Sequence, residues 1–184
     1  VLQCIHTTVA IHIKSDIQAY LFTDATPTQL GAILVVKQKI FFWAERLPTS
    51  TNIAEAEALA CLKSCQWWVT RLVRVSLSVV IDNISVLCAL NKGFSPNFFL
   101  NKTVCAALGV WKSNQTDVTL YYIRSAENPA DPLSRGKQLS STQLSLLSSV
   151  SFRPPAWVVQ RERMFENVPI FVWRMAHELE EGDM

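Results

Sequence analysis

Charge is scarce in this 184-residue chain: Asp, Glu, Lys and Arg together make up 17% of it, against roughly 25% in an average soluble domain. Hydrophobic residues reach 49%, so disorder driven by excess charge is excluded and the chain can bury a core. Glycine is limited to five residues and mean hydropathy is +0.19, the balance of a surface partly covered by a neighbour. Long apolar runs are missing as well. The stretches 32–36, 40–44 and 76–81 fall far short of the ~20 residues that span a bilayer, so no membrane is expected. Residues 1–14 lack the basic start, apolar run and small-residue cleavage site of a secretory signal. The length fits one large domain or a domain with a tail, and the chain reads as part of a larger protein.

Closely paired cysteines are absent too. The five cysteines are odd in number and form no C-x-x-C pair, which favours buried thiols in a reducing compartment over a disulfide framework. Cys61 and Cys65 stand one helical turn apart, but no second Cys or His pair lies near them, so core packing is preferred over zinc. Acidic residues are few: residues 1–136 hold 12 Lys and Arg against 9 Asp and Glu, while residues 137–184 hold 5 against 6. That mild positive bias points only weakly to nucleic acid. The scarce carboxylates that end apolar segments are the more informative feature.

What is present is periodicity. Residues 19–24 alternate as a strand, with Tyr20, Phe22 and Asp24 on one face, and turn chemistry follows around Pro27. Residues 31–36 and 40–45, joined through Lys37, Gln38 and Lys39, have the pattern of an antiparallel hairpin. Asn52 with Glu55 forms a capping-box pattern ahead of an Ala- and Leu-rich helix to Trp68. Residues 76–82 make a fourth strand, 84–91 a short helix closed by Gly93, 98–112 a second helix and 117–124 a fifth strand. Asn128, Pro129 and Asp131 then carry a helix-start signal, with Asn128 as the cap. The order predicts an α/β domain: a mixed five-stranded sheet, its first three strands antiparallel, flanked by helices. After Gly136 the composition shifts toward Ser and Leu, then to Phe152-Arg153-Pro154-Pro155. We therefore expect a connector over 1–18, a domain over 19–136 and a C-terminal extension over 137–184, with 157–175 apolar enough to dock and 178–183 acidic and frayed.

Four acids fall at informative places: Asp24 and Asp82 at strand ends, Glu57 within the first helix, Asp131 at the start of the last. Each alone has a plainer reading, as a strand-end turn residue, a surface helix residue or a favourable charge at a helix N-terminus. Together they fall in strand, helix, strand, helix order, and adjacent first and fourth strands would bring Asp24 and Asp82 to one sheet edge. Crowded carboxylates repel unless cations lie between them. Hard oxygen ligands select Mg²⁺ or Mn²⁺, and two such ions serve phosphodiester hydrolysis. Glu55 and Glu57 are ~200° apart on a helix; Glu55 has the capping task, so Glu57 is the inward candidate.

Phe22-Thr23-Asp24-Ala25-Thr26-Pro27-Thr28 followed by Gly31, Asp82-Asn83 with Val86-Leu87, and Ser125-Ala126-Glu127-Asn128-Pro129-Ala130-Asp131-Pro132 with Ser134-Arg135-Gly136 resemble catalytic segments of the ribonuclease H domain of hepadnavirus polymerases, the hepatitis B virus family. Ala56-Glu57-Ala58-Leu59-Ala60-Cys61 resembles the second segment, although Ala54-Glu55 offers another register. Phe152-Arg153-Pro154 also looks like that family, and the similarity runs from about residue 19 to 155. The family often shows two adjacent Asp residues in its fourth segment; here Pro132 follows Asp131, leaving Asp131 as the one candidate. Past Ala156 there is no clear match to the mammalian hepatitis B proteins, as in a divergent relative.

The resemblance implies a ribonuclease H-like fold at the C-terminus of a viral P protein, behind terminal-protein and reverse-transcriptase domains, in nucleocapsids of the host cytoplasm. It implies degradation of the pregenomic RNA strand of an RNA:DNA hybrid during minus-strand synthesis, with Asp24 bridging two Mg²⁺ ions and Glu57, Asp82 and Asp131 completing their shells. None of His6, His12 or His177 lies near Asp131 in sequence, where many cellular ribonucleases H place a histidine to help product leave, so either slow turnover or another residue such as Arg124 or Arg135 in that role is expected. Arg135 stands one turn from Asp131, to meet a phosphate or form a surface salt bridge. Trp67, Trp68, Arg71 and Arg74 are candidates for gripping the hybrid, with core packing the preferred reading for both tryptophans; Trp43 and Trp111 are assigned to the core. Thr26, Asn83 and Ser85 are weaker candidates for nucleic-acid contact. A retrotransposon domain of the same activity, a catalytically silent hybrid-binding scaffold, and docking onto the reverse transcriptase or capsid remain alternatives.

Overall fold

The computed structural model describes residues 17–72 and 74–149 and the backbone of residues 171–172. β1 (Ile17–Thr26), β2 (Gln29–Val36) and β3 (Lys39–Arg46) form an antiparallel meander. α1 (Ile53–Trp68) leads to β4 (Val75–Ile81), α2 (Ile84–Lys92) and α3 (Phe98–Ser113) to β5 (Asp117–Tyr122), and α4 (Asp131–Ser134) to α5 (Ser141–Ser149). β4 lies parallel to β1, and β5 parallel to β4. The expected mixed five-stranded sheet is thus present in the order β3-β2-β1-β4-β5, and a short sixth strand, β6 (Phe171–Val172), extends it in parallel beside Tyr121 and Tyr122. The expected frayed acidic end and most of the expected docking segment lie outside the described residues.

Period-two alternation decides which side chains serve which face. Leu21, Leu77, Val79 and Ile81 point into a core under α1 and α3 with Cys61, Cys65 and Trp111. Tyr20, Phe22, Val80 and Tyr121 point into a second core closed by Leu133 of α4 and Leu147 of α5. β1 is therefore buried on both faces, as a central strand covered by two helical layers must be. The elements after Gly136 join this structure: Leu147 is fully enclosed.

Local chemistry explains the element ends. Asn52 Oδ1 accepts the Ala54 N–H at the start of α1, Asn83 Oδ1 accepts the Val86 N–H at the start of α2, and Gly93 closes α2 at φ 72°. The β2–β3 hairpin turns through Lys37 and Gln38, at φ 48° and 64°, with Lys39 already in the strand. Asn128 is not the helix cap its position predicts. Its Oδ1 accepts the Ala130 N–H and its Nδ2 donates to the Thr23 carbonyl at 2.9 Å, so it ties the loop to β1 and α4 starts three residues later.

The tryptophans divide. Trp111 is buried and donates to Cys65 Sγ at 3.0 Å, while Trp43 and Trp68 stack at a 56° tilt with centroids 6.5 Å apart. Trp67 departs from the core reading: it is 57% exposed, with the Arg71 guanidinium 5.5 Å over its ring. Phe94, Phe98 and Phe99 also face outward. No helix among the described residues is long and apolar enough to cross a membrane.

Candidate active site

The C-terminal ends of β1 and β4 meet because the two strands pair in parallel with Thr23 opposite Ile81. The next residue in each case is an acid, Asp24 within β1 and Asp82 just past the end of β4, so the two stand side by side at one sheet end. α1 crosses the same end and presents Glu57 from its second turn, where Glu57 Oε1 accepts the Ala25 N–H at 3.1 Å. One carboxylate oxygen from each of Asp24, Glu57 and Asp82 lies within 4.8 Å of the other two. Glu55 does not join this group; two positions back on the helix, it faces elsewhere.

Burial and repulsion disfavour the ionised forms of Glu57 and Asp24. Desolvation, then Asp82 and Asp24, push the Glu57 carboxyl up to about 9, against the opposing Ala25 hydrogen bond. Desolvation pushes Asp24 up to about 7, opposed by a hydrogen bond from Ser134 and reinforced by Asp82 and Asp131. Glu57 Oε2 and Asp82 Oδ1 are buried and receive no hydrogen bond from the described residues. Such orphaned acceptors are costly unless something positive engages them.

Asp131 stands apart from the close group. Its field reaches Asp24, but Arg135, one helical turn on, takes its Oδ1 at 2.7 Å. Arg135 is thus in the salt-bridge arrangement. Arg124 is exposed and 3.9 Å from Glu127. Thr26 and Asn83 lie close to the acids in sequence but spend their side chains on other parts of the protein: the Thr26 hydroxyl accepts the Gln29 N–H at 3.1 Å and reaches the Ser134 carbonyl at 3.2 Å, and Asn83 caps α2. Ser85 is exposed on the first turn of α2. Arg71 and Arg74 are not brought to the acids. They precede β4 while Asp82 follows it, a separation of roughly 25 Å at ~3.3 Å per residue.

Three residues with no assigned role help build the site: Ser134, Gly31 and Gln29. Ser134 Oγ donates to Asp24 Oδ2, and Gln29 Nε2 donates to the Leu133 carbonyl at 2.6 Å. Their signal in the sequence was slight, since Ser134 lies three residues beyond Asp131 in a run of turn-forming residues.

No family model matches the chain, and neither does any curated protein. Solved structures do. The N-terminal RNase H domain of a Mycobacterium tuberculosis protein, solved as a fusion with maltose-binding protein, matches with a TM-score of 0.57 at 14% identity, over 65% of this chain and 92% of that one. The fold is that of ribonuclease H. LC11-RNase H1 in complex with an RNA/DNA hybrid shares this ribonuclease H fold at a TM-score of 0.55 and 14% identity, over 66% of this chain and 95% of that one. The foamy viral protease-reverse transcriptase in complex with an RNA/DNA hybrid matches at 0.50 and 11% identity, over 74% of this chain and 22% of that one. On the ribonuclease H fold of the present chain, the three clustered acids come from β1, α1 and the residue after β4.

Proposed function

We propose that this chain is a ribonuclease H module that hydrolyses the RNA strand of RNA:DNA hybrids, with Asp24, Glu57 and Asp82 holding divalent metal. The observation that carries the reading is the largely buried three-acid group on this fold, with two carboxylate oxygens that no donor among the described residues reaches. The three side chains offer only hard oxygens, the chemistry that suits Mg²⁺ or Mn²⁺. A divalent ion bound there supplies Lewis-acid charge to a phosphodiester and makes a bound water more acidic. The protein's own part is to hold three carboxylates at close range, fix Glu57 through the Ala25 N–H, and exclude water from Glu57, which is 3% exposed. Asp131 adds negative charge at the margin of the site, and Arg135 restrains its carboxylate.

Asp82→Asn and Glu57→Gln are expected to abolish cleavage of the labelled RNA strand of a hybrid in Mg²⁺ or Mn²⁺, while Glu55→Gln retains it. A folded chain that binds hybrid yet cleaves nothing would leave a non-catalytic scaffold. Two neighbours were solved with RNA/DNA hybrids, one of them a reverse transcriptase, which supports the hybrid as substrate and a polymerase as setting. The motif runs around Asp24, Asp82 and Asp131 favour a hepadnavirus-like P protein, acting on pregenomic RNA in nucleocapsids of the host cytoplasm, behind terminal-protein and reverse-transcriptase domains. The outward-facing Phe94, Phe98 and Phe99 support cover by such a neighbouring domain.

A further inference from the structure

Ser134 ends α4 and is 1% exposed. Its hydroxyl hydrogen has two acceptors in reach, Asp24 Oδ2 and the Asp131 carbonyl at 2.9 Å, and a carboxylate is the stronger of the two. The contact with Asp24 joins residues 110 apart in sequence, and the surrounding structure is built to make it. Gly31 pairs with Asp24 across β1 and β2. A Cβ on Gly31 would come within 2.6 Å of the Ser134 N and 2.8 Å of Leu133 Cβ, so α4 lies directly on the strand only because that side chain is missing. Gln29 holds the Leu133 carbonyl at 2.6 Å, the Thr26 hydroxyl reaches the Ser134 carbonyl at 3.2 Å, and Asn128 holds the Thr23 carbonyl at 2.9 Å. Backbone on both sides of Ser134 is thereby pinned to β1 and β2.

An aspartate carboxylate turns about its last torsion in a broad, shallow well. Facing Glu57 and Asp82, the Asp24 carboxylate would relieve repulsion by rotating away. A donor on one oxygen fixes the carboxylate plane and leaves lone pairs for a cation. We propose that Ser134 is a positioning residue, holding Asp24 in the orientation in which it shares a divalent cation with Glu57 and Asp82. This rests on the cation-binding reading above, and it assigns α4 a task beyond carrying Asp131: it orients an acid on another element. Partners that orient metal-binding carboxylates typically contribute 10–100-fold in metal affinity.

The test is Mn²⁺ binding to the full chain, followed by loss of the free-ion electron paramagnetic resonance signal, for the parent, Ser134→Ala and Ser134→Thr, with hybrid cleavage and thermal melting alongside. Ser134→Ala is expected to bind Mn²⁺ about tenfold more weakly, to require correspondingly more metal for cleavage, and to melt below the parent because a buried hydrogen bond is lost; Ser134→Thr, which keeps the hydroxyl, recovers binding. A serine that only packs would lower the melting temperature and leave Mn²⁺ affinity unchanged, and that result overturns the proposal. Ser134→Thr binding as weakly as Ser134→Ala overturns it as well. A parent whose Mn²⁺ affinity falls in Ser134→Ala but that cleaves no hybrid upholds the positioning role and removes the ribonuclease reading; a parent that binds no Mn²⁺ removes both.

Discussion

Replacing Glu57 by Gln should stabilise the metal-free protein, and by an amount that depends on pH. The Glu57 carboxyl has an ordinary value of 4.5 and is pushed to about 9 in the fold. Between those values the unfolded chain has released a proton that the folded chain keeps, so folding takes up a proton and stability falls as pH rises. Below pH 4.5 both states are protonated and the penalty vanishes. At pH 7 the span above 4.5 is 2.5 pH units, each worth about 1.4 kcal/mol, so the native protein forgoes about 3 kcal/mol. Gln carries no such proton, and its Oε1 can still accept the Ala25 N–H. At about 3 °C per kcal/mol for a chain of this size, Glu57→Gln should melt about 10 °C higher at pH 7 in chelator, match the parent near pH 4, and draw further ahead toward pH 9. Thermal unfolding by far-ultraviolet circular dichroism across that range checks it. A difference independent of pH, or a variant less stable at pH 7, would refute the desolvation argument. Added Mg²⁺ should raise the melting temperature of the parent more than that of Glu57→Gln, because the cation takes the place of the retained proton.

Gly31→Ala should lower stability by about 1–3 kcal/mol, the usual cost of overpacking, because backbone and not a flexible side chain stands in the way; denaturant midpoints at unchanged m-value measure it. Asn128→Ala leaves the Thr23 carbonyl without its donor in a buried setting, a loss of about 1–3 kcal/mol, and hydrogen exchange at Ala130 should accelerate with it. Arg71→Ala should leave the rate of hybrid cleavage at saturating substrate unchanged, since Arg71 lies at the far end of the sheet from the acids; a large drop in that rate would contradict the placement.

The strands and long helices were legible because their apolar spacing follows the two periods directly, and the carboxylates because acids ending buried strands have few structural reasons to be there. Helical rotation sets Glu55 and Glu57 on opposite faces, and the capping pattern at Glu55 leaves Glu57 as the inward-facing acid. Contacts over a hundred residues apart leave no such local mark. Ser134 and Gln29 look like ordinary turn residues until α4 is laid on β1 and β2, and Gly31 looks like a strand defect until its missing Cβ is seen to admit Ser134. Asn128 misleads for the same reason: an Asn before Pro carries a capping signal, yet a buried carbonyl on β1 competes for it. The hairpin itself was legible from its two apolar runs, but its two-residue turn was not, because Lys37 and Gln38 occupy left-handed conformations usually left to Asn and Gly. β6, two residues long, has too little pattern to stand out.

The 110-residue reach of the Ser134 contact also sets an order of assembly. A chain made from its N-terminus exposes Asp24 early, then Glu57 and Asp82, while Ser134 follows Asp24 by 110 residues, roughly 5 to 20 s later at the pace of synthesis. Until then the acids have no clamp. Nascent chains and products truncated before α4 would hold the three carboxylates without the contact that orients Asp24, so a competent metal site is a property of the finished domain.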